Sequence, residues 1–214
     1  RGFKYRGFLV RNKVGEKMLV LGLTGNIGCG KSSVSTIFMN HGIDIVDADI
    51  VARHIFEDLD LLNKVFSTFG ETIKNEDGSL NRKALGNIVF NDDEKLIALN
   101  NLTHPKIKEN ILKKIEEYKT QGKKIVAIDA ALLIEDNYLP YIDKLILVTC
   151  KKDIQIKRII ARDNCTEKEA ISRINSQMSQ EDKAKFADYI IDNSGSFENL
   201  EQQVLEIISV LQGE

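Results

Sequence analysis

One eight-residue stretch constrains the fold more than any other part of this chain. Residues 25–32 read Gly-Asn-Ile-Gly-Cys-Gly-Lys-Ser and fit the pattern G-x-x-x-x-G-K-[ST]. An apolar run (19–23) precedes the motif and an amphipathic segment (34–39) follows it. In this setting the glycines let the backbone turn from a strand into a helix with consecutive N–H groups aimed at one point. A plain glycine-rich turn is the alternative, but the complete motif predicts a site for a nucleoside triphosphate.

The motif, called the phosphate loop below, assigns candidate roles to its side chains. Lys31 is expected to reach the β- and γ-phosphates of ATP, and the Ser32 hydroxyl is expected to bind Mg²⁺. The residues predicted to bind the nucleotide are Asn26, Ile27, Gly28, Cys29, Gly30, Lys31, Ser32 and Ser33. The helix dipole would lower the pKa of a thiol at Cys29. We favour the simpler interpretation that Cys29 is a small space-filling residue.

Short apolar runs alternate with amphipathic stretches along the rest of the chain. The predicted strands are 19–23, 43–46, 125–128, 145–148 and 189–191. The predicted helical segments are 34–39, 61–69, 85–90, 96–118, 154–160 and 200–211. Strands that alternate with helices predict an α/β fold with a five-stranded, mostly parallel, doubly wound sheet. Nearly continuous apolar strands are typical of a sheet that is covered on both faces.

The long interval between the second and third predicted strands breaks this rhythm. Nearly 80 residues there are helical or turn-like, more than one crossover needs. We interpret them as a helical subdomain that helps to hold a second ligand, although helices that merely cover the sheet fit the pattern nearly as well. His104-Pro105 lies inside this interval, where proline is expected to break or kink a helix.

Composition excludes several classes of protein. The chain has 214 residues, of which 43% are hydrophobic, and a formal charge of −2. The near-neutral charge argues against a nucleic-acid partner, and no apolar run approaches the roughly 20 residues of a membrane span. Three cysteines without Cys-x-x-Cys spacing favour a reducing compartment. We therefore expect a soluble, cytoplasmic protein, monomeric or weakly homo-oligomeric.

The first 17 residues have a different character from the rest. They carry six basic side chains and one acidic residue, Glu16, without clear periodicity. We interpret residues 1–17 as an N-terminal extension outside the fold, in preference to a transit peptide.

Aspartates follow two of the predicted strands, and parallel strands end at the same edge of a sheet as the first loop. Asp47 is the first polar residue after the second strand and is predicted to face a ligand, whereas Asp49 is a candidate cap for the next helix. Asp129 follows the third strand. It could support Mg²⁺ through water or accept hydrogen bonds from loop amides, and the sequence favours neither interpretation.

Arg158 and Arg162 lie four residues apart and so share one face of a predicted helix. In a kinase, such arginines stabilise the charge of the transferred phosphoryl group. A solvated face of mixed charge is the competing interpretation. His104 could contact a ligand phosphate, but a packing role beside the proline is the commoner case.

Beyond the loop, the chain resembles the dephospho-coenzyme A kinase family over about residues 19–211. The matching elements, in order, are Asp47-Ala48-Asp49, Phe69-Gly70, residues 77–82, Leu99-Asn100 before His104-Pro105, residues 132–135, Gln155 with Arg158, Arg173-Ile174 with Gln177, and Ala187-Asp188 leading to residues 193–195. The family often has proline at Ala131, a small residue at Cys29 and threonine at Ser33. These departures leave the Ser32 hydroxyl in place.

The resemblance implies transfer of the ATP γ-phosphate to the ribose 3′-hydroxyl of dephospho-coenzyme A, giving coenzyme A and ADP. It also implies a P-loop nucleoside-triphosphate hydrolase fold of the nucleoside-monophosphate-kinase type. Its parts would be a core (18–57, 122–151 and 183–214), a helical substrate subdomain (58–121) and a lid (152–182). By the same likeness, Asp47 is the base, Lys31 and Arg158 are catalytic, Asn193 lies near adenine, Arg82 and His104 lie near the acceptor, and Thr24 and Arg162 contact the substrate.

Two other functions remain open at this point. The first is a kinase for another small acceptor, although the Pro-Arg element of adenylate-kinase-like lids is absent. The second is a non-catalytic ATP-binding regulator. A GTP switch is not supported, because no Asn-Lys-x-Asp motif is present.

Overall fold

Five parallel strands form the centre of the structure, a computed structural model that describes residues 18–213. The strands are β1 (Leu19–Gly25), β2 (Asp44–Asp47), β3 (Ile125–Asp129), β4 (Lys144–Thr149) and β5 (Tyr189–Asp192), in the spatial order β2-β3-β1-β4-β5. All four pairings are parallel. The predicted fold class is therefore confirmed, whereas the predicted extension (1–17) lies outside the described residues.

Nine α-helices are present in the described part of the chain. They are α1 (Lys31–Asn40), α2 (Ala48–His54), α3 (Leu59–Phe69), α4 (Arg82–Val89), α5 (Asp93–Thr120), α6 (Lys152–Asp163), α7 (Glu167–Asn175), α8 (Gln180–Ala184) and α9 (Phe197–Gly213). Each of the six predicted helical segments overlaps one of them. The short helices α2, α7 and α8 escaped prediction because they carry too few turns for a clear apolar period.

Side chains from alternate positions of the strands enter separate cores on the two faces of the sheet. On one face, Leu21 and Leu23 of β1 pack with Phe38 of α1 and Val204 of α9. On the other face, Val126 and Ile128 of β3 pack with Ile111 of α5 and with the segment after β3. Because both faces are covered, these strands are apolar at nearly every position, as the sequence pattern indicated.

Of the two effects predicted at Pro105, a break or a kink, the break does not occur. Helix α5 runs without interruption from Asp93 to Thr120 with Pro105 inside it. Proline removes only one N–H donor from a helix, so a long helix that is buried against neighbours on both sides of that point can absorb the loss. Ile111 and Ile115 anchor the later half of α5 on the sheet, and Leu99 and Leu102 contact the cluster described next.

The helices between β2 and β3 have a hydrophobic core of their own. Its buried members include Leu61 and Val65 of α3, Ile73, and Leu85 of α4. This cluster is distinct from the one beneath the sheet, which the later half of α5 helps to form. The later half of α5 covers the sheet, while α3 and α4 pack around a cluster of their own. That this unit holds a second ligand stays a prediction. The exact domain boundaries remain a prediction.

No helix within residues 18–213 combines the length and the apolar character needed to cross a membrane.

Candidate active site

The order in which strands are added to the sheet changes direction at β1, the strand that leads into the phosphate loop. Strands β2 and β3 lie on one side of β1, and strands β4 and β5 lie on the other side. Asp129, the last residue of β3, is in register with Leu23 of β1 on one side and with Asp47 of β2 on the other. A crevice at such a switch point is where open α/β sheets bind ligands.

The phosphate loop has the backbone geometry of an anion site. Gly28 and Gly30 have φ angles of 82° and 84°, in the left-handed region that favours glycine. The Ser33 N–H donates to the Gly30 carbonyl as α1 begins. The N–H groups of Lys31 and Ser32 open the helix and have no acceptor within it. They point toward the space ahead of the helix and can bind a phosphate.

Two glycines of the loop leave no room for a side chain. A Cβ on Gly30 would lie 2.2 Å from Nδ2 of Asn193, and one on Gly28 would lie 2.9 Å from Cγ1 of Ile159. The loop is therefore packed against β5 and α6 as well as being sharply turned.

Amide side chains from distant parts of the chain hold the loop backbone. The Ile27 carbonyl accepts from Nε2 of Gln155 at 2.7 Å, and the Ile27 N–H donates to Oε1 of Gln177 at 2.9 Å. Asn193 donates to the Cys29 carbonyl at 2.8 Å. Sequence reasoning quoted these three residues only as parts of the family resemblance, and no spacing rule indicates their contact with the loop. Asn193 therefore supports the loop. Its predicted place near adenine is a separate role and stays a prediction.

A buried polar network lies beneath the loop. Lys183 is 0% exposed and donates to the Ala131 carbonyl at 2.6 Å, while its ammonium lies 3.1 Å from Oε1 of Glu135. Thr24 also donates to the Ala131 carbonyl, at 3.1 Å, and is itself fully buried. Thr24 was predicted to contact the substrate. Its hydroxyl joins β1 to the segment after β3, and the substrate contact stays a prediction.

Asp129 contacts two side chains that the sequence did not suggest, and its support of Mg²⁺ stays a prediction. It forms an ion pair with Lys31 and accepts a hydrogen bond from Ser35, and only 4% of it is exposed. The loop lysine is thus held by a buried carboxylate at the end of the neighbouring strand. Sequence reasoning missed this pair because it depends on the register between β1 and β3.

The assignment of the helix cap to Asp49 is wrong, because Asp47 is the cap. Oδ1 of Asp47 accepts the Ile50 N–H at 2.9 Å and begins α2. The Asp47 side chain is partly exposed at the C-terminal end of β2, next to Asp129 in register. The capping bond holds one oxygen of the carboxylate in a defined orientation.

Arg158 reaches the phosphate loop, and Arg162 does not. Nη1 of Arg158 lies 3.7 Å from the position of a Cβ on Gly30. This nitrogen is buried and has no hydrogen-bond partner among residues 18–213. Arg162 is exposed and pairs with the neighbouring Asp163, with Nε 2.7 Å from Oδ1. Although the two arginines share a helix, only Arg158 is directed at the loop.

The two predicted acceptor residues lie in different surroundings. His104 lines a cavity of about 390 Å³ together with Asn100, Asn101, Pro105, Ile107, Lys108, Asp136 and Tyr138. Arg82 is not among the lining residues. It donates to the Arg53 carbonyl at the end of α2, and its guanidinium lies 5.1 Å from the centre of the Phe56 ring.

The alternative interpretation of Cys29, a thiol with a lowered pKa, is contradicted. Its side chain is fully buried and belongs to the core cluster that includes Leu23 of β1 and Phe38 of α1. The contact with Cys150 and burial raise the pKa of the Cys29 thiol well above its ordinary value. The favoured interpretation of Cys29 as a space-filling residue agrees with this position.

Comparison with known proteins identifies the family. The family model described as dephospho-CoA kinase matches residues 19–199. The chain belongs to the dephospho-CoA kinase family. A relative of that name from Listeria innocua is 43% identical over 189 residues, which cover 88% of this chain and 94% of the relative. The family inferred from the motifs, and with it an ATP-dependent kinase activity, is confirmed.

Solved structures agree with this assignment. The dephospho-CoA kinase from Campylobacter jejuni is 32% identical, with a TM-score of 0.71, and the match covers 91% of this chain and 98% of that one. A shikimate kinase from Acinetobacter baumannii is 16% identical, with a TM-score of 0.51, over 91% of this chain and 95% of that one. The second likeness concerns the fold alone, which is that of P-loop kinases.

Replacing Gly30 by alanine should damage both the loop and the fold of this kinase. The new Cβ would displace the Asn193 amide, and the left-handed φ adds a strain of about 1–2 kcal/mol. We expect the free energy of unfolding to fall by about 2–3 kcal/mol and ATP affinity to fall at least about tenfold. Urea unfolding and calorimetric titration with ATP measure the two effects.

Gly42→Ala is the matched control, since Gly42 has a φ of 78° but no atom within 4 Å of its would-be Cβ. It should show the backbone strain without the loss of ATP affinity. Equal ATP affinities for the two variants would contradict the described packing of the loop.

Replacing Lys183 by methionine should destabilise the protein by about 2–4 kcal/mol. Methionine keeps much of the buried stem but leaves the Glu135 carboxylate and the Ala131 carbonyl without this donor. Chemical denaturation measures the loss. Lys185→Met is the control, because Lys185 is 72% exposed and pairs with Asp182 of its own turn. This substitution should cost at most about 0.5 kcal/mol. Similar stabilities for the two variants would argue against the buried network.

Proposed function

We propose that this chain transfers the γ-phosphoryl group of ATP to the ribose 3′-hydroxyl of dephospho-coenzyme A. The main support for the proposal is that three groups lie at the ends of neighbouring strands. The phosphate loop follows β1, Asp129 ends β3, and Asp47 ends β2 in register with Asp129. A phosphate cradle beside a partly exposed carboxylate suits in-line transfer to a hydroxyl, in which positioning and charge stabilisation dominate.

The ATP phosphates would occupy the cradle formed by the first amides of α1. Lys31 is the first residue of α1, and its ammonium is paired with Asp129. We propose that, when ATP binds, the Lys31 ammonium also contacts the β- and γ-phosphates and its ion pair with Asp129 weakens. Asp129 would then keep the lysine extended along the sheet edge, so that little side-chain entropy is lost on binding.

The residues at this edge suit a magnesium ion carried by the nucleotide. Ser32 is exposed at the start of α1, and Asp129 presents its carboxylate nearby. No group of three or more His, Cys, Asp or Glu side chains within residues 18–213 could hold a metal by itself. Mg²⁺ is commonly bound by one or two protein oxygens together with substrate phosphates. We propose Ser32 as a ligand and Asp129 as a supporting carboxylate, with the ion neutralising charge on the phosphates.

Asp47 is proposed as the general base. Its capping bond to the Ile50 N–H uses Oδ1 and leaves Oδ2 available to accept the proton of the attacking hydroxyl. The rigid start of α2 holds the carboxylate in place, so little reorganisation is needed at the moment of reaction.

Arg158 is proposed to stabilise charge on the transferred group. A buried guanidinium nitrogen without a partner is costly in the absence of a ligand. Its position beside Gly30 lets a phosphate oxygen supply the missing acceptor. The segment 152–182 would then act as the predicted lid, with α6 supplying this contact.

The acceptor would enter from the side of the helical subdomain. We propose that His104 and its cavity hold part of dephospho-coenzyme A. Arg82, which is fixed by its bond to the Arg53 carbonyl at the end of α2, would stand nearer to Asp47. Arg162 remains a weaker candidate for a substrate contact, since it is already paired with Asp163.

An ADP-release assay with a panel of acceptors tests the function. The panel contains dephospho-coenzyme A, adenosine, AMP and pantetheine, and the product is identified by ³¹P NMR as a ribose 3′-phosphate. Rapid turnover with dephospho-coenzyme A alone is expected. Faster turnover with AMP would favour the nucleoside-monophosphate kinase alternative, and ATP binding without turnover on any acceptor would favour the regulator.

We also propose that the enzyme works in the cytoplasm as a monomer or weak homo-oligomer, without a nucleic-acid partner. The free thiols at Cys29, Cys150 and Cys165 and the near-neutral charge support this view. Light scattering at several protein concentrations measures the oligomeric state.

A further inference from the structure

Two cysteines that are far apart in sequence meet beneath the phosphate loop. The sulfur atoms of Cys29 and Cys150 lie 3.4 Å apart. Both residues are buried, with 0% and 6% of their surfaces exposed. Oε1 of Gln180 lies 3.5 Å from the Cys29 sulfur and accepts the Cys150 N–H at 2.9 Å. One side chain therefore bridges the two cysteines.

The pair connects two parts of the proposed catalytic machinery. Cys29 lies in the phosphate loop between Gly28 and Gly30, at the positions where the backbone turns. Cys150 follows β4 and directly precedes Lys151, the N-cap of α6, which is the helix that carries Arg158. A covalent bond between the sulfurs would tie the phosphate loop to the root of the proposed lid.

The two thiols differ in reactivity. The neighbouring Cys29 thiol and the positive charge of Arg158 hold the pKa of Cys150 below its ordinary value, whereas the pKa of Cys29 is raised. The thiolate is the form that reacts with oxidants. Cys150, at 6% exposed against 0% for Cys29, is therefore the thiol that would react first, with Cys29 placed to complete the bond.

We propose that Cys29 and Cys150 form a reversible disulfide when the enzyme meets a peroxide, and that this bond switches off phosphoryl transfer. The inhibitory part of the proposal rests on the proposed function. The formation of the bond rests only on the positions of the two sulfurs.

The chemistry balances with hydrogen peroxide as the oxidant. The Cys150 thiolate attacks one peroxide oxygen, the O–O bond breaks, and a sulfenic acid forms while the departing hydroxide takes up a proton as water. The Cys29 sulfur then attacks the sulfenic sulfur, the S–O bond breaks, and the hydroxyl leaves with the Cys29 proton as a second water. In total, the two thiols lose two hydrogen atoms and the peroxide is reduced to two waters.

The bond would move the loop. A disulfide requires a sulfur separation of about 2.05 Å, so the sulfurs must approach from the 3.4 Å of the reduced pair. Hydrogen bonds hold the Cys29 carbonyl to Asn193 and the Cys150 N–H to Gln180. The sulfurs must close by about 1.4 Å, and the part of this movement that falls on the glycine-flanked turn would displace the amides that should bind phosphate. Misplacement on this scale costs about 100-fold in rate in other enzymes.

The test treats the full chain with hydrogen peroxide and follows mass and turnover together. We expect the intact mass to fall by about 2 Da, a tryptic map to show a Cys29–Cys150 link, and kcat to fall at least about tenfold. Dithiothreitol should restore both. Cys165→Ser should behave like the parent protein, since Cys165 lies between α6 and α7, away from the pair.

Cys150→Ala should keep its untreated activity and lose the peroxide-dependent inactivation, and Cys150→Val serves if the alanine variant is unstable. A link that involves Cys165, or addition of oxygen without a link, would overturn the proposal. A Cys29–Cys150 link that leaves kcat unchanged would overturn its inhibitory part. If the untreated enzyme lacks kinase activity, the proposed function fails, while the peptide map still decides whether the bond forms.

Discussion

Asp47→Asn is expected to lower kcat by about 10²–10⁴-fold while ATP binding stays nearly unchanged. Asparagine caps helices as well as aspartate does, so the Ile50 N–H keeps its acceptor and α2 keeps its start. The change removes the ability to accept a proton and little else. Steady-state kinetics with dephospho-coenzyme A and calorimetric titration with ATP measure the two quantities.

Asp49→Asn is the matched control, because Asp49 is an exposed residue in the first turn of the same helix. It should retain turnover within about twofold, as expected for a surface change away from the reacting groups. Full turnover in Asp47→Asn would remove Asp47 as the base. A large loss in Asp49→Asn would show that the local structure of α2, and not a base at Asp47, governs the rate.

Arg158→Ala is expected to lower kcat by about 10²–10³-fold and to weaken ATP binding much less. The guanidinium is proposed to act on charge that develops during transfer, so its loss should appear mainly in the transition state. Nη1 lies beside the loop and has no hydrogen-bond partner within the described residues 18–213, so its removal breaks no bond to that part of the chain. Comparison of kcat with the dissociation constant for ATP separates the two effects.

Lys157→Ala is the control for charge on the same helix, since Lys157 is exposed and adjacent in sequence. Its kcat should change by less than about threefold. Arg158→Lys should recover only part of the activity, because lysine supplies one point of charge in place of a planar fork of donors. An unchanged kcat in Arg158→Ala would exclude its proposed role.

Local features of the chain were sufficient to predict the architecture. The phosphate loop requires residues that are adjacent in sequence, and each buried strand shows itself as an apolar run of its own. The order of these signals indicated the parallel sheet, and the ordered motifs identified the family. The sequence also placed the aspartates after β2 and β3 at one edge of the sheet, because parallel strands end together.

Contacts between distant segments were not predictable in this way. The continuation of α5 through Pro105 depends on packing at both of its ends, which outweighs the local cost of proline. The choice of Asp47 over Asp49 as the cap depends on the residue at which β2 ends, and sequence patterns define element boundaries less well than the existence of elements.

By itself, the sequence determined the fold class, the phosphate loop and the family, because those depend on residue types at fixed short spacings. Only the tertiary structure decided that Asp129 pairs with Lys31, that Gln155 and Gln177 hold the loop, and that Cys29 faces Cys150. Each of these contacts joins residues roughly 100 or more positions apart. Strand register and helix packing bring such residues together, and neither leaves a periodic signal in the sequence.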